Sequence, residues 1–158
     1  MLRGRSHELV VATCIYIACR KLNVPRSFKE LEAVSKANAV SISRCYRGIV
    51  KAFKEKNLSS IIDAPSLSFS QFFIRFCSKL KLSMKVEKLA NKISTKAADS
   101  LPEISSKRPD SIAAAAIYMA ADLCESKKSF NEISRVTGVA VSTIRNTFKI
   151  MQKMKDFN

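Results

Sequence analysis

Residues 111–120 read "SIAAAAIYMA". After Ser111 the run has no charged residue, no glycine and no proline, and four consecutive alanines make it a strong helix former. Pro109, just upstream, suits the first turn of such a helix. A helix that is apolar on every side has to be surrounded by other helices, so this stretch predicts the centre of a helical bundle.

The pattern occurs twice. A shift of 102 residues lays Ala12 on Ala114, Ile15 on Ile117, Tyr16 on Tyr118 and Ala18 on Ala120. The same shift lays Ser27-Phe28-Lys29-Glu30-Leu31 on Ser129-Phe130-Asn131-Glu132-Ile133. It continues through Val34 and Val136, Ile42 and Ile144, Tyr46 and Phe148, Arg47 and Lys149, and Lys51 and Lys153. One shift without an insertion identifies two copies of one unit.

Each copy predicts a helix, a short helix and a third helix. The first helices are expected at 6–21 and 109–124. The short ones, near 28–36 and 130–137, each start on a capping box, Ser27-x-x-Glu30 and Ser129-x-x-Glu132. The third are expected at 40–55 and 141–154, with apolar positions 42, 45, 46, 49 and 53, and 144, 148 and 151, at helical spacing. Two further helices lie between the copies. Ser68–Leu80 places Phe69, Phe72, Phe73, Phe76 and Leu80 on one face. Ser83–Leu101 does the same with Val86, Leu89, Ala90, Ile93, Ala97 and Leu101.

Pro65 and the serines around it mark 57–67 as a linker. The expectation is an all-α chain: a three-helix unit over 1–56 and a five-helix unit over 68–158. The first unit lacks two helices that would cover Leu9–Cys19, so an exposed apolar face is expected there.

Bulk composition narrows the function. Lys+Arg outnumber Asp+Glu by 28 to 13, for a net charge of +15 in 158 residues. Residues 1–65 carry 12 basic and 5 acidic groups, and residues 66–158 carry 16 and 8. The excess therefore decorates both folded units rather than a tail, and a polyanion such as nucleic acid is the first partner to consider. The 5 cysteines form no CxxC pair, and with a single His7 they predict buried reduced thiols rather than a metal site. No metal or other cofactor is expected. No carboxylate pair, Cys–His pair or phosphate loop suggests an enzyme, and no apolar run is long enough to span a membrane.

"GVAVSTIRNTFK" (138–149) follows the second short helix. A supporting helix, a turn through Gly138 and a following helix make the helix–turn–helix plan. With Ile144, Phe148 and Met151 inward, the outward stripe carries Ser142, Arg145, Asn146, Lys149 and Lys153. Arginine can pair with guanine, asparagine with adenine, and lysine with phosphate. Any exposed helix face of a basic protein has a similar look, so this stretch alone leaves base reading open. The cognate outward positions of the first copy, Ser41, Ser43, Arg44, Arg47 and Lys51, offer charge but little amide chemistry. They suit a protein or phosphate contact better. Gly48, in mid-helix, suggests a close helix approach.

The segments "GRSHELVVATCIYIACRKLNVPRSFKELEAVS" (4–35), "RFCSKL" (75–80), "SIAAAAIYMA" (111–120) and "EISRVTGVAVSTIRNTFK" (132–149) resemble the core domain of the general transcription factor IIB family, with its two cyclin-like repeats. They come in family order and spacing over nearly the whole chain. The resemblance implies a non-enzymatic nuclear protein that binds the TATA-binding protein on promoter DNA, contacts DNA on both sides of the TATA element, and bridges to RNA polymerase II. It implies DNA contacts at Gly4 and Arg5, and Lys107 and Arg108 are expected to contact DNA as well. It implies a further DNA contact at Arg145, with Thr143 beside it, and the outward stripe adds Ser142, Asn146 and Lys149 as expected DNA contacts. TATA-binding-protein contacts are implied at Arg20, Arg44, Arg47 and Lys51.

The chain also departs from the family. The zinc ribbon and the polymerase-entering segment have no counterpart here, which weakens the expectation of polymerase recruitment. Ala39-Val40 stands where many members carry a lysine pair, and Val141-Ser142 replaces an acidic capping residue and a valine. Relaxed base specificity is expected from the latter. The competing expectation is a cyclin-like protein-interaction module that regulates transcription without reading DNA sequence.

Overall fold

The computed structural model describes residues 4–24, 26–58 and 70–154. Among these residues there are helices and no strand, so the chain is all-α. It forms two compact units, Met1–Leu67 and Ser68–Asn158.

The first unit contains α1 (His7–Lys21), α2 (Phe28–Glu32) and α3 (Ala39–Glu55). The second contains α4 (Ser70–Lys79), α5 (Met84–Ser100), α6 (Pro102–Ser105), α7 (Pro109–Leu123), α8 (Phe130–Thr137) and α9 (Val141–Met151). Most of the expected linker, and Phe69, lie outside the described residues.

In the second unit α7 is the axis. Residues Ala113 to Ile117 have no exposed surface, and α4, α5, α8 and α9 all pack against this helix. The alanines allow this, because helices can approach closely wherever side chains are short. Phe72, Phe73 and Phe76 of α4, Val86 and Ile93 of α5, and Ile144 and Met151 of α9 complete the core.

The internal repeat appears as a repeated aromatic cluster. Tyr118 stacks on Phe130 at 3.9 Å and meets Phe148 edge-on at 4.9 Å. In the first unit Tyr16 stacks on Phe28 at 4.3 Å and meets Tyr46 edge-on at 4.9 Å. The three positions are related pairwise by the 102-residue shift.

Both capping boxes form. The Ser27 hydroxyl accepts from the Glu30 amide at 3.1 Å, and the Glu30 carboxylate accepts from the Ser27 amide at 2.8 Å. Ser129 and Glu132 repeat the pair at 3.2 and 2.8 Å.

The structure departs from the sequence expectations in several places. Helix α2 stops at Glu32 rather than near 36, because side chains there offer the backbone other partners. The Ser35 hydroxyl accepts from the Ala37 amide, and the Glu32 carboxylate accepts from the Ala39 amide at 3.0 Å. These bonds shape the turn into α3. Helix α9 stops at Met151, and the tighter bonds from the Lys153 and Met154 amides to Ile150 and Met151 finish it. Helix α6 was not expected. It starts on Pro102 and buries Ile104 completely.

Of the cysteines, Cys45 and Cys77 are buried, as expected. Burial pushes the Cys77 thiol up to about 12, with the Glu87 carboxylate adding to the effect. Cys14, however, is exposed, and Cys19 and Cys124 are partly so.

Gly48 marks no close approach. A methyl group built on it would meet Arg5 Nη2 at 3.9 Å, an ordinary contact. Replacing it should therefore recover helix propensity without a clash. Gly48→Ala is expected to stabilise the first unit by about 0.5–1 kcal/mol, read as a rise in the urea midpoint at unchanged slope. A fall in the midpoint would mean that α3 needs the glycine.

Candidate nucleic-acid interface

Helices α8 and α9 are set by the turn between them. Gly138 has φ 72, a left-handed conformation that glycine adopts without penalty. Its amide donates to the Ser134 carbonyl at 2.8 Å. The buried Thr137 hydroxyl donates to the Ile133 carbonyl and accepts from the Val139 amide at 3.2 Å. Val139 is itself buried. The turn is thus fixed by one left-handed residue, one hydroxyl and one apolar anchor.

Helix α9 places Ile144, Thr147 and Met151 in the core. Ser142, Thr143, Arg145, Asn146 and Lys149 are all exposed and share its outer side. The Arg145 guanidinium lies over the Phe130 ring, 5.3 Å from its centroid. Phe130 opens α8, so the supporting helix provides the platform on which this arginine rests. The aromatic echo of Phe28 marked this residue, but the sequence did not show that an arginine lies on it. Lys153, just beyond the end of α9, pairs with Glu103 of α6 at 3.1 Å.

The position that caps α9 is Ala140, one residue before the replacement noted in the sequence, and it offers no side-chain acceptor. The equivalent end of α3 has Asn38, whose Oδ1 accepts from the Val40 amide at 2.7 Å. The sequence reading missed this cap.

The other expected DNA contacts lie elsewhere. Lys107 and Arg108 are exposed in the turn between α6 and α7. Arg108 Nη2 donates to Asp110 Oδ2 at 2.6 Å, so its charge is partly neutralised. Gly4 and Arg5 belong to the first unit, ahead of α1. Gly4 has φ 78 and is exposed, and Arg5 is half-buried beside Gly48.

Arg44, Arg47 and Lys51 are exposed along α3, and Lys51 stands 3.9 Å from Glu55. Arg20 is less free than the other three. Its Nη1 donates to the Tyr46 hydroxyl at 2.6 Å and its guanidinium lies 5.8 Å from that ring's centroid. It therefore braces α1 against α3.

The capping box of α8 supports the whole motif. Hydrogen bonds from the Ser129 amide and hydroxyl hold the Glu132 carboxyl below its ordinary range, with Lys128 adding a smaller pull. A depressed carboxylate stabilises the fold above its unfolded value near 4.5 and loses that contribution as pH falls through the folded value. Ser129→Ala is expected to cost about 0.5–2 kcal/mol at neutral pH and less at an acid pH below the folded value, where the Glu132 carboxyl of the wild-type box is protonated. Denaturant melts at the two pH values check this, and equal losses at both would rule out the carboxylate's part.

The sequence profile of the transcription factor TFIIB repeat matches residues 1–52 and 62–154. The chain is 41% identical over 150 residues to transcription initiation factor IIB of Drosophila virilis, covering 95% of this chain and 48% of that protein. It is 40% identical to the Xenopus laevis factor and 39% identical to the human one. In both cases 95% of this chain and 45% of the relative are covered. The chain thus spans about half the length of the curated relatives it matches. These relatives carry the name of a transcription initiation factor, not of an enzyme. Among the described residues, no helix is long and apolar enough to cross a membrane.

Proposed function

Because the chain belongs to the transcription factor IIB family, we propose that it acts in the nucleus as a transcription initiation factor of that type. In this reading it binds the TATA-binding protein on promoter DNA and contacts the flanking duplex. The observation that carries the DNA part is the outer side of α9, where Arg145, Asn146, Lys149, Ser142 and Thr143 stand exposed on the second helix of a helix–turn–helix. That is a set of donors suited to a major groove. The basic row Arg44, Arg47 and Lys51 on α3 supports the protein contact, with Arg20 as its brace. Gly4, Arg5, Lys107 and Arg108 are proposed as phosphate or minor-groove contacts.

The direct test is a gel shift with TATA-binding protein on promoter DNA. A further shift on adding this chain is expected, and its absence at micromolar protein would sink the proposal. Arg145→Ala should cost about 1–3 kcal/mol on a preferred site and relax selectivity there, measured by anisotropy on matched and mutated duplexes. Equal loss on every sequence would make Arg145 a phosphate contact. A second reading, a protein-interaction module without base reading, draws on the exposed Val11, Ile15 and Leu22 along and after α1. Capture of a protein partner with no DNA shift would favour it.

A further inference from the structure

Helix α5 carries Lys85, Lys88, Lys92 and Lys96 at spacings of three, four and four. At 3.6 residues per turn these fall within one narrow sector, and the row runs about 16 Å along the axis. Val86, Ala90, Ile93, Ser94 and Ala97 occupy the opposite side and are buried. Lys85, Lys88 and Lys92 are exposed.

These three lysines have no ion-pair partner among the described residues. Some lysines elsewhere do stand beside acids, as in Lys29–Glu32, Lys51–Glu55, Lys128–Glu132 and Lys153–Glu103. Of the acids of α5, Glu87 adds to the rise of the buried Cys77 thiol, and Asp99 stands about two turns beyond Lys92.

The arrangement works against the helix. Lys88, Lys92 and Lys96 repel one another at i,i+4 spacing, and Lys85 in the first turn opposes the helix dipole. Folding gains nothing from such a row, whereas a polyanion would relieve its repulsion. Lysine heads are flexible point charges that match phosphate rather than base edges. A 16 Å row spans roughly five base pairs of duplex at 3.4 Å per pair. Helices α5 and α9 pack on α7 separately, so the row is a different surface from the α9 stripe.

We propose that the lysine face of α5 is a second nucleic-acid contact, one that holds duplex phosphates without regard to sequence. It rests on the DNA-binding reading above and adds to it a surface that secures the duplex while α9 reads it.

The test is the triple variant K85Q/K88Q/K92Q of the full chain, titrated against a labelled mixed-sequence duplex over a range of KCl. Loss of three phosphate contacts should lower the salt slope by about 2–3. Affinity at low salt should fall at least tenfold. The melting temperature should hold or rise, since repulsion is removed. The variant K85R/K88R/K92R should bind like wild type, which separates charge from any packing fault. An unchanged slope and affinity in the glutamine variant would overturn the proposal. Equal weakening toward poly-glutamate would overturn it too, by making the face a general acid binder. Arg145→Ala, run in parallel, separates the two readings. If it weakens binding while the glutamine variant does not, the α9 reading survives and this one falls, and the reverse result means the reverse. A wild-type chain that binds no duplex sinks both.

Discussion

In deuterated water the amides of residues 112–121 are expected to outlast those of 9–19 by at least tenfold, a gap of about 1.4 kcal/mol or more in opening free energy. The two stretches are the same helix in the two copies, yet their surroundings differ. Residues Ala113 to Ile117 of α7 are wholly buried. On α1, Val11 is 41% exposed and Ile15 is 47% exposed, and Leu22 just beyond it is 75% exposed. Cys14 and Ala18 are exposed on the same helix. In the second unit α4 and α5 cover α7, and no described helix of the first unit stands in their place. Among the described helices of its own unit α1 packs only against α2 and α3, and its amides should open by local fluctuations that α7 does not allow. Mass spectrometry of exchanged peptides decides the matter. Equal protection would mean that the apolar side of α1 is covered in solution.

Phe76→Ala should cost about 3–5 kcal/mol, a large share of the roughly 5–15 kcal/mol that holds a domain together. Phe76 has no exposed surface and packs 5.7 Å from Phe72, with the Arg75 guanidinium over both rings. Its loss leaves a cavity beside α7 that alanine-rich walls cannot fill. Ile74, two residues earlier, is 62% exposed. Ile74→Ala should change stability by no more than about 0.5 kcal/mol. Urea melts of the two variants test the contrast. A loss under about 1 kcal/mol for Phe76→Ala would show that α4 is not part of the cooperative core.

Much of this was legible in the residues. The capping boxes, the left-handed turn at Gly138 and the inward register of α9 all follow from local chemistry. A hydroxyl three residues before a carboxylate, or a glycine after a helix, acts on its own neighbours. Helix α6 was hidden because its signal is a single Pro102 and one buried Ile104. The end of α2 was hidden because Glu32 bonds to Ala39, a partner seven residues away.

By itself the sequence determined that the chain is helical, that it repeats at 102 residues, and which side of each helix is apolar. These are properties of spacing, and spacing is written in the chain. Only the tertiary structure decided how far each apolar side is covered, since exposure depends on which other helices are present. It also decided which cations are engaged: Arg20 bonds to Tyr46, Arg108 pairs with Asp110 and Lys153 with Glu103, while Lys85, Lys88 and Lys92 stand without ion pairs among the described residues. A charge count cannot separate these, because an ion pair needs two side chains to meet, and only the packed fold sets which ones do.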